Sequence, residues 1–164
     1  MIQFLDYRDS KGVYDRVISI EMTEAVGEEH WSDYFAVIAR SLKPGGCALL
    51  QAITIREQDF ALYRSRPDFI QRYIFPGGML PAVSLMAEHS ARAGLEMATV
   101  LRFGQSYAQT LTVWRERLRR AWPQIEARGF DERFRRMWEY YFTYCEVAFE
   151  TGMVDVGLYR FAKR

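Results

Sequence analysis

Hydrophobic and polar positions along the chain fall into two periodicities that alternate from one end to the other. Val13 to Met22 (VYDRVISIEM) is apolar and β-branched enough for a buried parallel strand. Residues 28–42 place Trp31, Phe35, Ile38 and Leu42 at helical spacing. Lys43-Pro44-Gly45-Gly46 follows as a stop, since proline cannot continue a helix and glycine tolerates the left-handed cap. Cys47 to Ile55 (CALLQAITI) predicts a second buried strand, and residues 56–80 read as irregular and aromatic. A helix is expected from Pro81 to Gly94, with Val83, Met86 and Ala93 facing inward, then a strand over Leu95–Phe103. Residues 106–120 and 131–150 read as helices, the second with a stripe of Phe134, Trp138, Tyr141, Cys145 and Phe149. Met153 to Lys163 reads as a final strand near a sheet edge, and Ile2 to Asp6 as the tail of another strand. Strands alternating with helices predict a three-layer α/β fold with a mostly parallel sheet.

A chain of 164 residues is one domain by size, 1–164, and long enough to bury a core. Aromatic residues make up 15% of it, an excess that suits either an apolar site or a generous core. The net charge of +1 argues against nucleic acid as a partner. Charge is unevenly spread, however. Residues 1–33 hold eight acids against three bases, whereas residues 114–136 hold eight arginines against four acids. The basic run suits either anionic phospholipid headgroups or a solvated helix face. Cys47 and Cys145 lie in apolar stretches, as buried reduced thiols of a cytoplasmic protein would. No apolar run approaches the roughly 20 residues of a membrane span, so a protein peripheral to a membrane at most is expected. His30 and His89 lack ligand spacing with Cys or acids, and no metal site is expected.

Several motifs together resemble one family. Tyr14-Asp15-Arg16-Val17-Ile18-Ser19-Ile20-Glu21-Met22, then Glu24-Ala25-Val26-Gly27, looks like the fourth strand of a class I methyltransferase. Leu42-Lys43-Pro44-Gly45-Gly46 resembles the turn before strand five. Phe69-Ile70-Gln71-Arg72-Tyr73-Ile74-Phe75-Pro76-Gly77-Gly78, Phe103-Gly104-Gln105-Ser106-Tyr107-Ala108-Gln109-Thr110-Leu111 and Arg136-Met137-Trp138-Glu139-Tyr140-Tyr141 narrow it further. In this order they are similar to the cyclopropane-fatty-acyl-phospholipid synthases and their mycolic-acid relatives. The resemblance implies the C-terminal part of a Rossmann-like sheet with flanking helices, strand four onward. Lipid-site helices would fall within residues 56–150, and the family's strand order is three-two-one-four-five-seven-six. No G-x-G-x-x-G pattern precedes Val13. The first strands and the glycine loop that cradles S-adenosylmethionine are therefore expected to be missing, through truncation or supply by a separate chain.

The resemblance implies transfer of a sulfonium methyl to the double bond of an unsaturated phospholipid acyl chain at a membrane surface. The resulting carbocation needs shelter from water, and a base must then remove a proton to close the ring. In this family bicarbonate is that base. Glu24 matches its carboxylate ligand and Tyr107 its tyrosine, with Gln51 where many members have histidine. Ile20 and Ile53 match positions whose backbone borders the site. Leu5, Asp6 and Ile20 match cofactor-contacting positions. Each residue also has a plain reading from its own chemistry: Glu24 favours the start of a helix, Tyr107 is a half-buried core residue, and Asp6 is a turn residue. Gln51 offers a donor and an acceptor without titrating.

Two other functions remain open on the sequence. One is a related lipid C-methyltransferase, since the same cation can be captured differently. The other is a non-catalytic fragment that binds lipid or a partner through an exposed sheet edge. Such an edge at Val13–Met22 leads to the expectation of a homo-oligomer, or of pairing with the missing N-terminal half.

Overall fold

The computed structural model describes residues 2–164. Its elements are β1 (Tyr14–Ile20), α1 (Thr23–Val26), α2 (Trp31–Arg40), β2 (Leu42–Ile55), α3 (Glu57–Ser65), α4 (Phe69–Tyr73) and α5 (Val83–Arg92). They continue through β3 (Leu95–Arg102), α6 (Gly104–Glu126), α7 (Glu132–Glu150) and β4 (Val154–Lys163). The chain divides into two compact units, one running to Arg102 and taking in Val156–Arg164, the other comprising Phe103–Asp155.

The first unit holds a sheet of four strands in the order β1-β2-β4-β3. That is the four-five-seven-six half of the order the resemblance implied. β1 and β2 run parallel, while β3 and β4 are antiparallel, so the sheet is more mixed than expected. β4 is not at an edge: it lies between β2 and β3, and Val156, Tyr159 and Phe161 are fully buried. Its polar alternation reports the two faces of the sheet, which period-2 patterning encodes, and carries no information about lateral position. The core forms where Tyr34, Phe35, Ile38 and Ala39 of α2 and Met86 of α5 meet Ala48, Leu50 and Ala52 of β2 and Phe161 of β4. Lys163 Nζ ties this face shut by donating to the carbonyls of Ala39 and Leu42, both at 2.7 Å, near the end of α2.

Several local expectations are corrected. Residues 2–6 form no strand; Asp6 instead caps a short 3-10 turn over Tyr7–Asp9. Helix α2 stops at Arg40, before the Lys43–Gly46 turn, which bulges out of β2. Gly46 is needed there, since a Cβ would stand 2.9 Å from the Lys43 carbonyl and 3.1 Å from that of Asp15. Residues 56–80 are not irregular: they contain α3 and α4. Neither helix buries a residue fully, so the apolar period that reveals a helix in sequence is absent. Polar contacts hold α3 instead, including Arg64 Nε to Glu28 Oε2 at 2.9 Å. The thiols of Cys47 and Cys145 are half-buried rather than buried.

The second unit is a hairpin of α6 and α7. Helix α6 runs past Arg120 and through Pro123, with Trp122 buried at that point. Thr112 bonds Glu146, Arg115 bonds Thr143, and Arg119 bonds Glu139. One number rises as the other falls by the same step, which makes the helices antiparallel. Asp131 caps α7 by accepting from the Phe134 N–H at 2.8 Å. The buried positions of α7 are Phe142, Glu146, Ala148 and Phe149. Of the stripe read from the sequence Phe149 alone is buried, while Phe134, Trp138, Tyr141 and Cys145 are half-buried, so the packed face is rotated from that stripe and takes in a charged residue. No helix among the described residues is long and apolar enough to cross a membrane.

β1 is an edge strand, and Ile18 and Ile20 on it are 69% and 65% exposed. Register places Ile18 beside Leu49 and Ile20 beside Gln51, on the face opposite the α2–α5 core. We propose that this edge self-associates, because unpaired backbone groups beside exposed isoleucines template pairing with a second strand. Sedimentation velocity over a concentration series should then show association that Ile18→Lys weakens. A concentration-independent monomer of the unaltered chain would remove this expectation.

Candidate functional site

The centre of the site is the carboxyl of Glu24, and backbone geometry at the C-terminal end of β1 puts it there. In an unbroken parallel ladder, successive groups of β2 would alternate in bonding β1. The ladder continues as far as the Glu21 N–H, which donates to the Gln51 carbonyl at 2.8 Å. Glu21 then adopts φ +49°, the left-handed region that non-glycine residues seldom enter. The chain turns out of the sheet into α1, and the next free donor of β2, the Ile53 N–H, goes to Glu24 Oε1. A side-chain oxygen thus takes the rung that the backbone has left.

The other oxygen, Glu24 Oε2, is buried with no hydrogen-bond partner among the described residues. Burial pushes the Glu24 carboxyl from 4.5 up to about 7, the nearby charge of Glu21 adds to this, and the Ile53 N–H pulls the other way. Such a carboxyl holds or releases a proton near neutral pH, the range in which acid–base work is most efficient. Its backbone is held as firmly. The Glu24 carbonyl accepts from Met79 N–H at 2.9 Å, and Gln71 Nε2 donates to the neighbouring Gly78 carbonyl at 3.1 Å. Gln71 is fixed in turn by a capping box with Asp68 at the start of α4. Beneath, the buried Trp31 donates through Nε1 to the Thr23 carbonyl at 3.2 Å.

Four of the expected residues, Ile20, Glu24, Gln51 and Ile53, therefore meet at the ends of β1 and β2. Ile20 pairs with Gln51 in register, and Gln51 Nε2 donates to Glu21 Oε1 at 2.7 Å. Tyr107 belongs to the helical unit, on α6, with its ring 5.8 Å from Phe103 and 5.3 Å from Phe149. Asp6 accepts from the Arg8 backbone at 2.9 Å and pairs with its guanidinium at 2.8 Å, and Leu5 beside it is exposed. Tyr73 and Phe75 in the aromatic segment are exposed too, so core packing does not account for them. Among the described residues, no group of three His, Cys, Asp or Glu side chains is arranged to hold a metal ion.

The mycolic acid cyclopropane synthetase family model matches residues 1–159. The chain belongs to this family. Tuberculostearic acid methyltransferase UfaA1 of Mycobacterium tuberculosis is 41% identical over 156 residues, 94% of this chain and 36% of that protein. Cyclopropane-fatty-acyl-phospholipid synthase of Escherichia coli K12 is 41% identical over 151 residues, 92% of this chain and 38% of that protein. The solved structure of mycolic acid cyclopropane synthase CmaA1, complexed with SAH and CTAB, matches with a TM-score of 0.85 at 28% identity. It is covered over 58% of its length, and this chain over 96%. The chain thus spans little more than a third of the length of these two curated relatives.

Within this cyclopropane synthetase-family chain, two features escaped the sequence reading. Glu21 was visible only as one more acid at a strand end, and its left-handed backbone has no sequence signal because glycine does not mark it. Glu146 carries no mark in the sequence, yet Arg115 Nη2 lies 2.8 Å from its Oε2 within the hairpin. On a helical wheel Glu146 falls beside Phe142, at the border of the apolar face, which is the signal for it.

Proposed function

We propose that this chain carries the base-holding part of a lipid methyltransferase site, acting on the double bond of an unsaturated phospholipid acyl chain to form a cyclopropane. The supporting observation is the Glu24 carboxyl, with one oxygen on the Ile53 N–H and the other buried and unpartnered. A sequestered polar atom of this kind suits a small hydrogen-bonding ligand. Bicarbonate fits: Glu24, the Ile53 backbone and Gln51 would hold it. When bound, bicarbonate supplies a base for the proton lost on ring closure. Glu24 orients the ligand, and its proton affinity near neutrality lets it donate or accept a hydrogen bond.

S-adenosylmethionine is the methyl donor in this reading, in keeping with the SAH of the CmaA1 complex. The fit of this chain to it is partial. Ile20 ends β1 beside the site, but Asp6 is engaged by Arg8, and no glycine-rich loop occurs in residues 1–164. The phospholipid headgroup would meet α6 and α7. Arg115, Arg119, Arg120 and Arg135 are paired with acids, while Arg117, Arg128, Arg133 and Arg136 are exposed.

A second reading, a methyl branch in place of a ring, is supported by one observation. Identity to the tuberculostearic acid methyltransferase equals that to the cyclopropane synthase, 41% in each case. Titration of the chain with carbon-13 bicarbonate, followed by NMR line broadening, tests the ligand, with saturable binding expected for the unaltered chain. Incubation with S-adenosylmethionine, bicarbonate and unsaturated phospholipid vesicles tests the reaction. Proton NMR of the recovered acyl chains separates a cyclopropane from a branch. Bicarbonate that does not bind, together with acyl chains that gain no carbon, would refute the proposal.

A further inference from the structure

We infer that Glu21 is a positioning residue of this site, fixing the orientation of the Gln51 carboxamide beside Glu24 and freeing the Ile53 N–H for the Glu24 carboxylate. The inference rests on the reading of the site given under Proposed function and deepens it.

Two geometric facts carry it. First, an ionised carboxylate only accepts hydrogen bonds, so the end of the Gln51 amide at 2.7 Å from Glu21 Oε1 must be its nitrogen. The amide carbonyl is thereby turned away from Glu21. Gln51 shares a sheet face with Ile20 and Ile53, across from the fully buried Leu50 and Ala52, so it stands on the side where the site lies. A glutamine with no such neighbour would present either end. With Glu21 in place it presents an acceptor, which matches a ligand that brings its own hydroxyl proton, as bicarbonate does. Second, in a continuous parallel pair the Ile53 N–H would reach the Glu21 carbonyl. The left-handed turn at Glu21, φ +49°, ends that pairing, and Glu24 receives the donor. One residue thus sets both polar groups of β2 that face the site.

Strain of this kind persists only where the surroundings hold it. The holding contacts include the Glu21 N–H on the Gln51 carbonyl and the Gln51 amide on the Glu21 carboxylate, which pin the residue from its backbone and its side chain.

Glu21→Gly separates this role from a structural one, because glycine accepts the left-handed backbone while removing the carboxylate. The measurements are hydrogen exchange of the Gln51 side-chain NH2 by NMR, affinity for carbon-13 bicarbonate, and melting temperature. Side-chain NH2 exchange should speed up at least tenfold and bicarbonate affinity fall about tenfold, with the melting temperature unchanged or higher. Glu21→Gln, which still accepts through its carbonyl, should recover part of both. Unchanged Gln51 exchange in Glu21→Gly overturns the inference. If Glu21→Gly does not fold, Gln51→Leu decides: it leaves the turn intact and should weaken bicarbonate binding as much, whereas full affinity overturns the inference. Absence of bicarbonate binding by the unaltered chain would remove the base-holding reading instead, and Gln51 exchange would still decide the Glu21 contact.

Discussion

Glu24→Gln is expected to stabilise the chain by up to about 3 kcal/mol at about pH 8 and to leave it nearly unchanged at about pH 4. The sign follows from the raised proton affinity of the buried carboxyl. Folded Glu24 keeps its proton up to about pH 7, whereas the unfolded chain loses it near 4.5. Between those values the native state binds the extra proton, so the unaltered protein loses stability as pH rises through that window and is flat above it. Glutamine never ionises and removes the cost. It still offers an oxygen to the Ile53 N–H, although its NH2 must occupy the place of the unpartnered Oε2, which reduces the gain. Urea unfolding of both proteins across this pH range measures the difference. The same substitution should lower methyl transfer by about a hundredfold or more, the scale of a lost acid–base or orienting group. Two superimposable stability profiles would show that Glu24 ionises in the folded protein as it does in water.

In the helical unit, Glu146→Ala should cost about 3–5 kcal/mol, the penalty for leaving one charge of a buried pair without its partner. Glu146 is 9% exposed and is surrounded by Thr112 Oγ1 at 2.6 Å and the Arg115 guanidinium at 2.8 Å. Removing the carboxylate strands the Arg115 charge between α6 and α7, with Thr143 Oγ1, at 2.9 Å, as its remaining polar contact in the hairpin. Replacing both members, Arg115→Met with Glu146→Leu, should recover most of the loss, since apolar residues of similar volume need no desolvation of charge. Hydrogen exchange of the α6 and α7 amides reads the effect directly. A single mutant as protected as the unaltered chain would mean that water already solvates the pair.

Much of the fold is legible from pattern alone. The stripe of Trp31, Phe35, Ile38 and Leu42, and the inward face of Val83 and Met86, are where the structure packs them. Surface helices were not legible: α3 and α4 are held by ion pairs and a capping box, which leave no apolar period to read. At the site, Glu24, Gln51, Ile20 and Ile53 were named through family motifs. Their common location depends on the pairing of β1 with β2, a contact between residues about thirty positions apart.

Composition, hydrophobic period and motif spacing determined the α/β class, the succession of elements and the family, because each is written locally in the order of residues. Tertiary structure alone decided lateral strand order, which placed β4 inside the sheet and β1 at its edge. It also decided the chemistry of individual carboxylates. Glu21, Glu24 and Glu146 are alike in sequence, yet one clamps an amide, one is buried against a backbone N–H, and one pairs with an arginine inside a helical hairpin. Proton affinity and hydrogen-bond partner depend on solvent exclusion and on groups brought from distant positions, and those exist only once the chain has folded.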